Sequence, residues 1–198
     1  MSKVKIRLAT PADGEALLDI YKWYIENTAI TFETEVPLVE DFEKRIENTL
    51  SSFPWLVCEV DGVAAGYAYA SKHRERAAYQ WSADLSIYVD ENYHRRYIAK
   101  ALYKALEDIL KLQGYYTVFA GVTTPNPKSE AFHTAYGFET IGVFENVGYK
   151  LGLWRSVKWF KYTLTDYAKE PTALKTFPEV KELVVLGGIL KAAEEFIQ

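Results

Sequence analysis

Trp81-Ser82-Ala83-Asp84-Leu85-Ser86-Ile87-Tyr88-Val89, followed by the turn Asp90-Glu91-Asn92 and by His94-Arg95-Arg96-Tyr97-Ile98-Ala99, is the stretch on which the reading of this chain turns. Its first part alternates: Ala83, Leu85, Ile87 and Val89 against Ser82, Asp84, Ser86 and Tyr88, which is the period of a half-buried strand. Its second part opens a long helix, predicted over Arg95–Gln113, with Ile98, Leu102, Ala105, Ile109 and Leu112 on one stripe. The first amides of a helix have no internal partner, and they favour an anion beyond the helix end. Arg95 and Arg96 add positive charge there. On these residues alone, a pyrophosphate seat and an ordinary helix start with solvated arginines are both open.

Outward from this stretch, the pattern predicts further elements. Upstream come a strand over Lys3–Leu8, a helix begun by Thr10-Pro11-Ala12-Asp13, a loop carrying Phe32, and a helix over Leu38–Leu50. Trp55–Val60 and Val63–Ala70 are apolar runs joined by Asp61-Gly62, a strong hairpin signal. Downstream, Tyr115–Val122 reads as a strand, Asn126–Tyr136 as a short helix stopped by Gly137, and Phe138–Asn146 and Ser156–Leu164 as closing strands. The order is that of an α+β domain with a mixed, mostly antiparallel sheet flanked by helices. Residues 1–167 are expected to form this domain. Residues 168–198 are expected to be a connector and a C-terminal helix over Glu179–Gln198, whose apolar stripe covers the domain or a partner.

Composition narrows the function. The chain has 198 residues, 49% hydrophobic and 25% charged, with a net charge of −4. The absence of a basic excess argues against a general nucleic-acid binder. Cys58 is the single cysteine, and His73, His94 and His133 have no metal-ligand spacing, so neither a disulfide nor a metal site is expected. No apolar run approaches the ~20 residues of a membrane helix. The expected location is the cytoplasm, with neither nucleic acid nor membrane as a partner.

Ser86-Ile87-Tyr88-Val89 with His94-Arg95-Arg96-Tyr97-Ile98-Ala99-Lys100 resembles the acyl-CoA-binding segment of the GNAT acetyltransferase superfamily. Asn126-Pro127-Lys128-Ser129 through Tyr136-Gly137-Phe138 resembles that family's second signature. Phe53-Pro54-Trp55, Gly66-Tyr67-Ala68-Tyr69, Arg76, Tyr79-x-Trp81, Gly148-Tyr149-Lys150 and Trp159-Phe160 narrow the resemblance to the phosphinothricin acetyltransferase branch, over about residues 4 to 178. Three positions depart from the pattern. His94 and Tyr97 stand where the phosphate loop has Gln or Arg and its first Gly, and Asp84 stands where a Glu is usual. A helical backbone at position 97 accepts Tyr without loss of the amide.

The resemblance implies a GNAT-type acyl-CoA N-acyltransferase fold, acetyl-CoA as co-substrate, and transfer of acetyl to the primary amine of a small amino-acid-like molecule, phosphinothricin or methionine sulfoximine among them. Asp84 is then the base, acting directly or through water, and His133 a donor to the leaving thiolate or a neighbour of CoA. Ile87, Tyr88 and Val89 would hold pantetheine along a strand edge. His94, Arg95, Arg96, Tyr97, Ile98, Ala99 and Lys100 would form the phosphate seat, and Asn126 and Ser129 would contact the pantetheine arm. Arg74 and Arg76 would pair with an acceptor carboxylate or phosphinate, beside Tyr79 and Phe32 at the mouth. A homodimer is expected. A non-catalytic acyl-CoA-binding domain and a protein N-terminal acetyltransferase are the alternatives.

Overall fold

A computed structural model describes residues 2–167 and 170–197. Seven strands form one sheet in the order β1-β2-β3-β4-β5-β7-β6. They are β1 (Val4–Leu8), β2 (Trp55–Val60), β3 (Val63–Lys72), β4 (Ser82–Val89), β5 (Thr117–Thr124), β6 (Glu139–Lys150) and β7 (Leu153–Thr163). Every pairing is antiparallel except β4 with β5. The helices are α1 (Gly14–Asn27), α2 (Val39–Leu50), α3 (Ile98–Gln113), α4 (Pro127–Tyr136), α5 (Phe177–Lys181) and α6 (Val185–Glu194).

Strand alternation sorts side chains onto two chemically different faces. On one face Leu56, Cys58, Ala65, Ala68, Ala70, Ala83 and Leu85 pack under α3, whose Ala101, Leu102, Ala105 and Leu106 are fully buried. Small residues on both sides let the helix lie close to the sheet. Burial pushes the Cys58 thiol up to about 12, so it packs as a small apolar side chain. On the other face Trp55, Val57 and Tyr67 meet Leu17, Tyr21, Tyr24, Phe42 and Ile46 of α1 and α2. This face is strongly aromatic: Trp55 stacks on Tyr69 at 4.2 Å, and Tyr88 sits between Tyr21 and Tyr67. Asp84 shares it, being in phase with Tyr88.

Three expectations change. The long helix begins at Ile98, not Arg95, because Arg95 and Tyr97 take left-handed backbone (φ 65° and 62°). Tyr97 is therefore the residue before the helix, and the helical backbone expected there is absent. The closing strands are longer than their apolar patterns, meeting at a tight turn through Leu151 and Gly152, both at positive φ. The single helix expected at the C-terminus is two, α5 and α6. Phe177 and Val180 of the first and Leu186 and Ala193 of the second lie in the α3-side core.

Candidate active site

Strands β4 and β5 run side by side for only three residue pairs, Ser82 with Thr117, Ala83 with Val118 and Asp84 with Phe119. Beyond Asp84 they part, while β3 stays paired with β4 to Val89. The diverging half of β4 thus has one open edge, where backbone N–H and C=O groups can receive an extended ligand as an added strand. A cavity of about 70 Å³ lies in the fork, lined among others by Ser86, Ile87, Tyr88, Asn126, Ser129 and His133. Tyr103 and Gly121 also line it.

At the wide end of the fork, β4 leads through a short 3₁₀ turn (Glu91–Tyr93) into the loop before α3. Asp90 caps that turn by accepting from Asn92 N. The first bond of α3 runs from Ala101 N to Tyr97 O, which leaves the amides of Ile98, Ala99 and Lys100 without intrahelical acceptors. Arg95 is exposed, and Arg96 lies over the Tyr93 ring at 5.4 Å. Half of the Tyr97 surface is exposed. His94 turns away from this seat. Its Nε2–H donates to Val89 O at 3.1 Å, beside the Tyr24 hydroxyl donating to the same oxygen at 2.6 Å. The Val89 carbonyl is thus engaged within the protein, and Ile87 supplies the freer backbone groups of the open edge, because those of Tyr88 face β3.

At the narrow end stands Asp84, with its Oδ1 2.6 Å from His73 Nδ1. A carboxylate accepts, so Nδ1–H is the donor. Desolvation raises the Asp84 carboxyl above the usual range, against the opposing pull of His73 and Arg74. His73 lies flat on Phe119 (4.2 Å, 16°), with the ring edges of Tyr79 at 6.0 Å and Trp159 at 6.3 Å. The Trp159 indole N–H is buried without an acceptor among the described residues. Arg76, where a short 3₁₀ turn (Ala77–Tyr79) begins, is exposed and forms no ion pair among the described residues.

On the opposite strand, Asn126 caps α4 by accepting from Ser129 N at 3.2 Å. His133 is buried: its Nδ1–H donates to Ser129 O at 2.8 Å, and its Nε2 receives the Tyr103 hydroxyl at 3.2 Å. Burial lowers the pKa of this imidazole, so it is neutral with both nitrogens occupied. Phe32 lies against Gly148 of β6, in a loop tied down by Tyr21 to Thr31 (2.6 Å) and by Lys150 Nζ donating to Thr31 O (2.9 Å).

Of the residues expected from sequence, the fork brings Asp84, Ile87, Tyr88, Asn126, Ser129 and His133 together, with Arg74 close enough to act on Asp84. Three contributors went unread. In the sequence His73 stands only as a histidine without metal-ligand spacing. Its signal was cross-strand: Ser71 faces Asp84 in the register, so His73 is the diagonal neighbour on the same face. Tyr103 lies off the apolar stripe of its helix, and Trp159 enters the sequence reading only within the resemblance. The geometry offers a strand edge, a ring of open amides with basic side chains, and a half-buried carboxylate at the vertex. Among the described residues no group of three or more His, Cys, Asp or Glu is placed to hold a metal.

The chain is similar in sequence and fold to known acetyltransferases. Residues 6–159 match the family model described as an acetyltransferase (GNAT) domain. A phosphinothricin N-acetyltransferase of Streptomyces viridochromogenes is 36% identical over 158 residues, 80% of this chain and 86% of that protein. An L-methionine sulfoximine/L-methionine sulfone acetyltransferase of Salmonella typhimurium is 26% identical, over 82% and 96% of the two chains. A solved phosphinothricin acetyltransferase of Sinorhizobium meliloti, in complex with acetyl-CoA, superposes with a TM-score of 0.81 at 30% identity, covering 85% of this chain and 93% of that one.

Proposed function

The chain belongs to the GNAT acetyltransferase family, and on that premise we propose that it moves the acetyl group of acetyl-CoA onto the primary amine of a small amino-acid-like acceptor of the phosphinothricin or methionine sulfoximine kind. The observation that carries this reading is the half-buried Asp84 at the vertex of the β4/β5 fork, with the open amides of α3 at its far end. The diphosphate of CoA is held by the amides of Ile98, Ala99 and Lys100 with Arg95 and Arg96. Pantetheine runs along the open edge of β4 at Ile87, past Asn126 and Ser129, and the thioester arrives at the vertex. An amine is protonated at neutral pH, so the Asp84 site must remove a proton before attack. As C–S cleavage puts charge on sulfur, the Tyr103–His133 pair offers its one rotatable O–H to the thiolate.

Arg74 and Arg76 carry the acceptor's acid group and Tyr79 and Phe32 flank it, which favours a free zwitterion over a peptide chain. The enzyme works in the cytoplasm as a homodimer. Edge strand β6 supports the dimer: Ile141, Val143, Phe144, Val147 and Tyr149 are all exposed on it, a liability that a second copy would cover.

A thiol-release assay with acetyl-CoA against a panel of amino-acid analogues, uncharged amines and peptides tests this reading. Turnover is expected on the analogues. Turnover on peptides alone overturns the acceptor class, and CoA binding with no turnover on any amine overturns the enzyme. Asp84→Ala should lower kcat by roughly 10²–10⁴ while the protein stays folded. Arg76→Gln should raise KM for acidic analogues far more than for uncharged amines, and equal effects would remove Arg76 from acceptor binding.

A further inference from the structure

We propose that His73 is the group that takes the amine's proton, with Asp84 as the partner that orients it. The assignment rests on the acetyltransferase reading and refines the role of its carboxylate.

Three features of the geometry carry it. First, Asp84 Oδ1 is already bonded, at 2.6 Å, to His73 Nδ1–H. A carboxylate on Nδ1–H fixes the neutral ring as the tautomer whose Nε2 holds the lone pair. No group among the described residues is hydrogen-bonded to that Nε2. Second, the ring is immobilised: it is stacked on Phe119 and bounded by the edges of Tyr79 and Trp159, with its side chain only 11% exposed. Phe119 is the residue paired with Asp84 in the last rung before β4 and β5 part, so the bare nitrogen belongs to a ring held at the vertex. Third, imidazole is the side chain most often used for proton transfer at neutral pH, and here it is the member of the pair with a bare nitrogen. The charged and titratable groups facing the pair are Arg74 and Tyr79 from its own loop. From β5 and β7 the ring meets the uncharged Phe119 and Trp159, and Lys161, the partner of Phe119 across the β5–β7 pair, shares that face with its Nζ over the Tyr167 ring at 5.7 Å.

In the reaction, Nε2 takes one proton from the ammonium, and the freed lone pair forms the C–N bond to the acetyl carbon. The C–S bond then breaks with its electrons going to sulfur. The nitrogen's second proton goes to that thiolate, and the imidazolium sheds the first to water. One proton is released per acetyl transferred, and Asp84 stays ionised throughout.

The test uses the full chain, acetyl-CoA and an amine on which the unmodified enzyme turns over. His73→Gln, which keeps a hydrogen bond to Asp84 but cannot accept a proton, should lower kcat about 10²–10⁴-fold while KM for acetyl-CoA stays within about threefold. The imidazole step in the pH profile of kcat/KM should vanish, and added imidazole should partly restore His73→Ala. Melting curves of both variants establish that they fold. Nitrogen NMR of the resting protein, a readout independent of turnover, should find His73 protonated on Nδ1 and bare on Nε2. Near-normal kcat in His73→Gln, an unchanged pH step with no imidazole rescue, or a proton on Nε2 overturns the assignment alone. Thiol release absent from the unmodified enzyme on every amine overturns the acetyltransferase reading, and this assignment falls with it.

Discussion

Gly148 is a residue whose missing side chain shapes the site. A Cβ built there would lie 2.4 Å and 2.7 Å from atoms of the Phe32 ring. That ring is partly exposed and free to swing, so Gly148→Ala should cost little stability but push Phe32 off its seat. The expected result is a raised KM for the acceptor with KM for acetyl-CoA unchanged; an unaltered acceptor KM would remove Phe32 from the mouth. Asp84 illustrates a different tension. Burial raises its carboxyl, so the folded state holds this proton more tightly than the unfolded chain does. Between the ordinary carboxylate value and the raised one, stability therefore falls as pH rises, and at neutral pH the ionised group is a net burden on the fold. Asp84→Asn keeps an oxygen for His73 Nδ1–H and removes the burden. It should melt higher than the unmodified protein at pH 8, with the advantage shrinking toward pH 4, even as activity is lost. A lower melting temperature at pH 8 would mean that the carboxylate is stabilising. The face of Asp84 was legible in the strand alternation, and its role only through the resemblance. His73 was not, because its meaning depends on register across a hairpin whose loop carries no turn signature.

Among the elements, the loop from β4 into α3 departs most from its sequence pattern. The stripe beginning at Ile98 correctly located the helix, but periodicity cannot see backbone sign. Arg95 and Tyr97, both at positive φ, turn the chain so that the helix opens three residues late. A non-glycine residue in that region costs about 1–2 kcal/mol. Tyr97 is half exposed and makes no capping bond, so it recovers little of that cost. Tyr97→Gly should therefore leave the protein as stable or about 1 kcal/mol more stable, and should bind acetyl-CoA at least as well. Tyr97→Val, β-branched at the same φ, should destabilise. Denaturant melts and CoA titration of the two variants check this, and a clear loss of CoA affinity in Tyr97→Gly would show that the Tyr ring itself holds the ligand. The turn through Leu151 and Gly152 escaped reading for a related reason. The Asp61-Gly62 turn announced itself by composition, whereas a Leu at positive φ carries no such mark.

At the scale of the whole molecule, the question is what the last thirty residues do for a site they meet at its edge, where Lys100 Nζ lies over the Phe196 ring at 5.1 Å. The apolar stripe of the C-terminus was plain in sequence, but a stripe names no partner, and only packing reveals where it rests. Phe177 and Val180 are buried against the α3 side of the core, and Gln113 at the end of α3 donates to Lys175 O. The Trp81 indole N–H donates to Thr172 O, tying the connector to the residue that starts the β4 stretch. At the far side, Glu194 accepts from Ile6 N at 2.9 Å and so covers an open group of edge strand β1. The segment thus clamps α3 and β1 from behind, opposite the face that carries Asp84 and His73. Phe177→Ala removes a side chain only 1% exposed and should cost about 3–5 kcal/mol by leaving a cavity. Because α3 supplies the amides at its other end, the loss should appear as lower thermal stability, with kcat and both KM values nearly unchanged well below the melting point. Melting curves paired with kinetics at low temperature separate the two effects. A large rise in KM for acetyl-CoA without a fall in melting temperature would mean that the C-terminal segment acts on the phosphate seat rather than on the core.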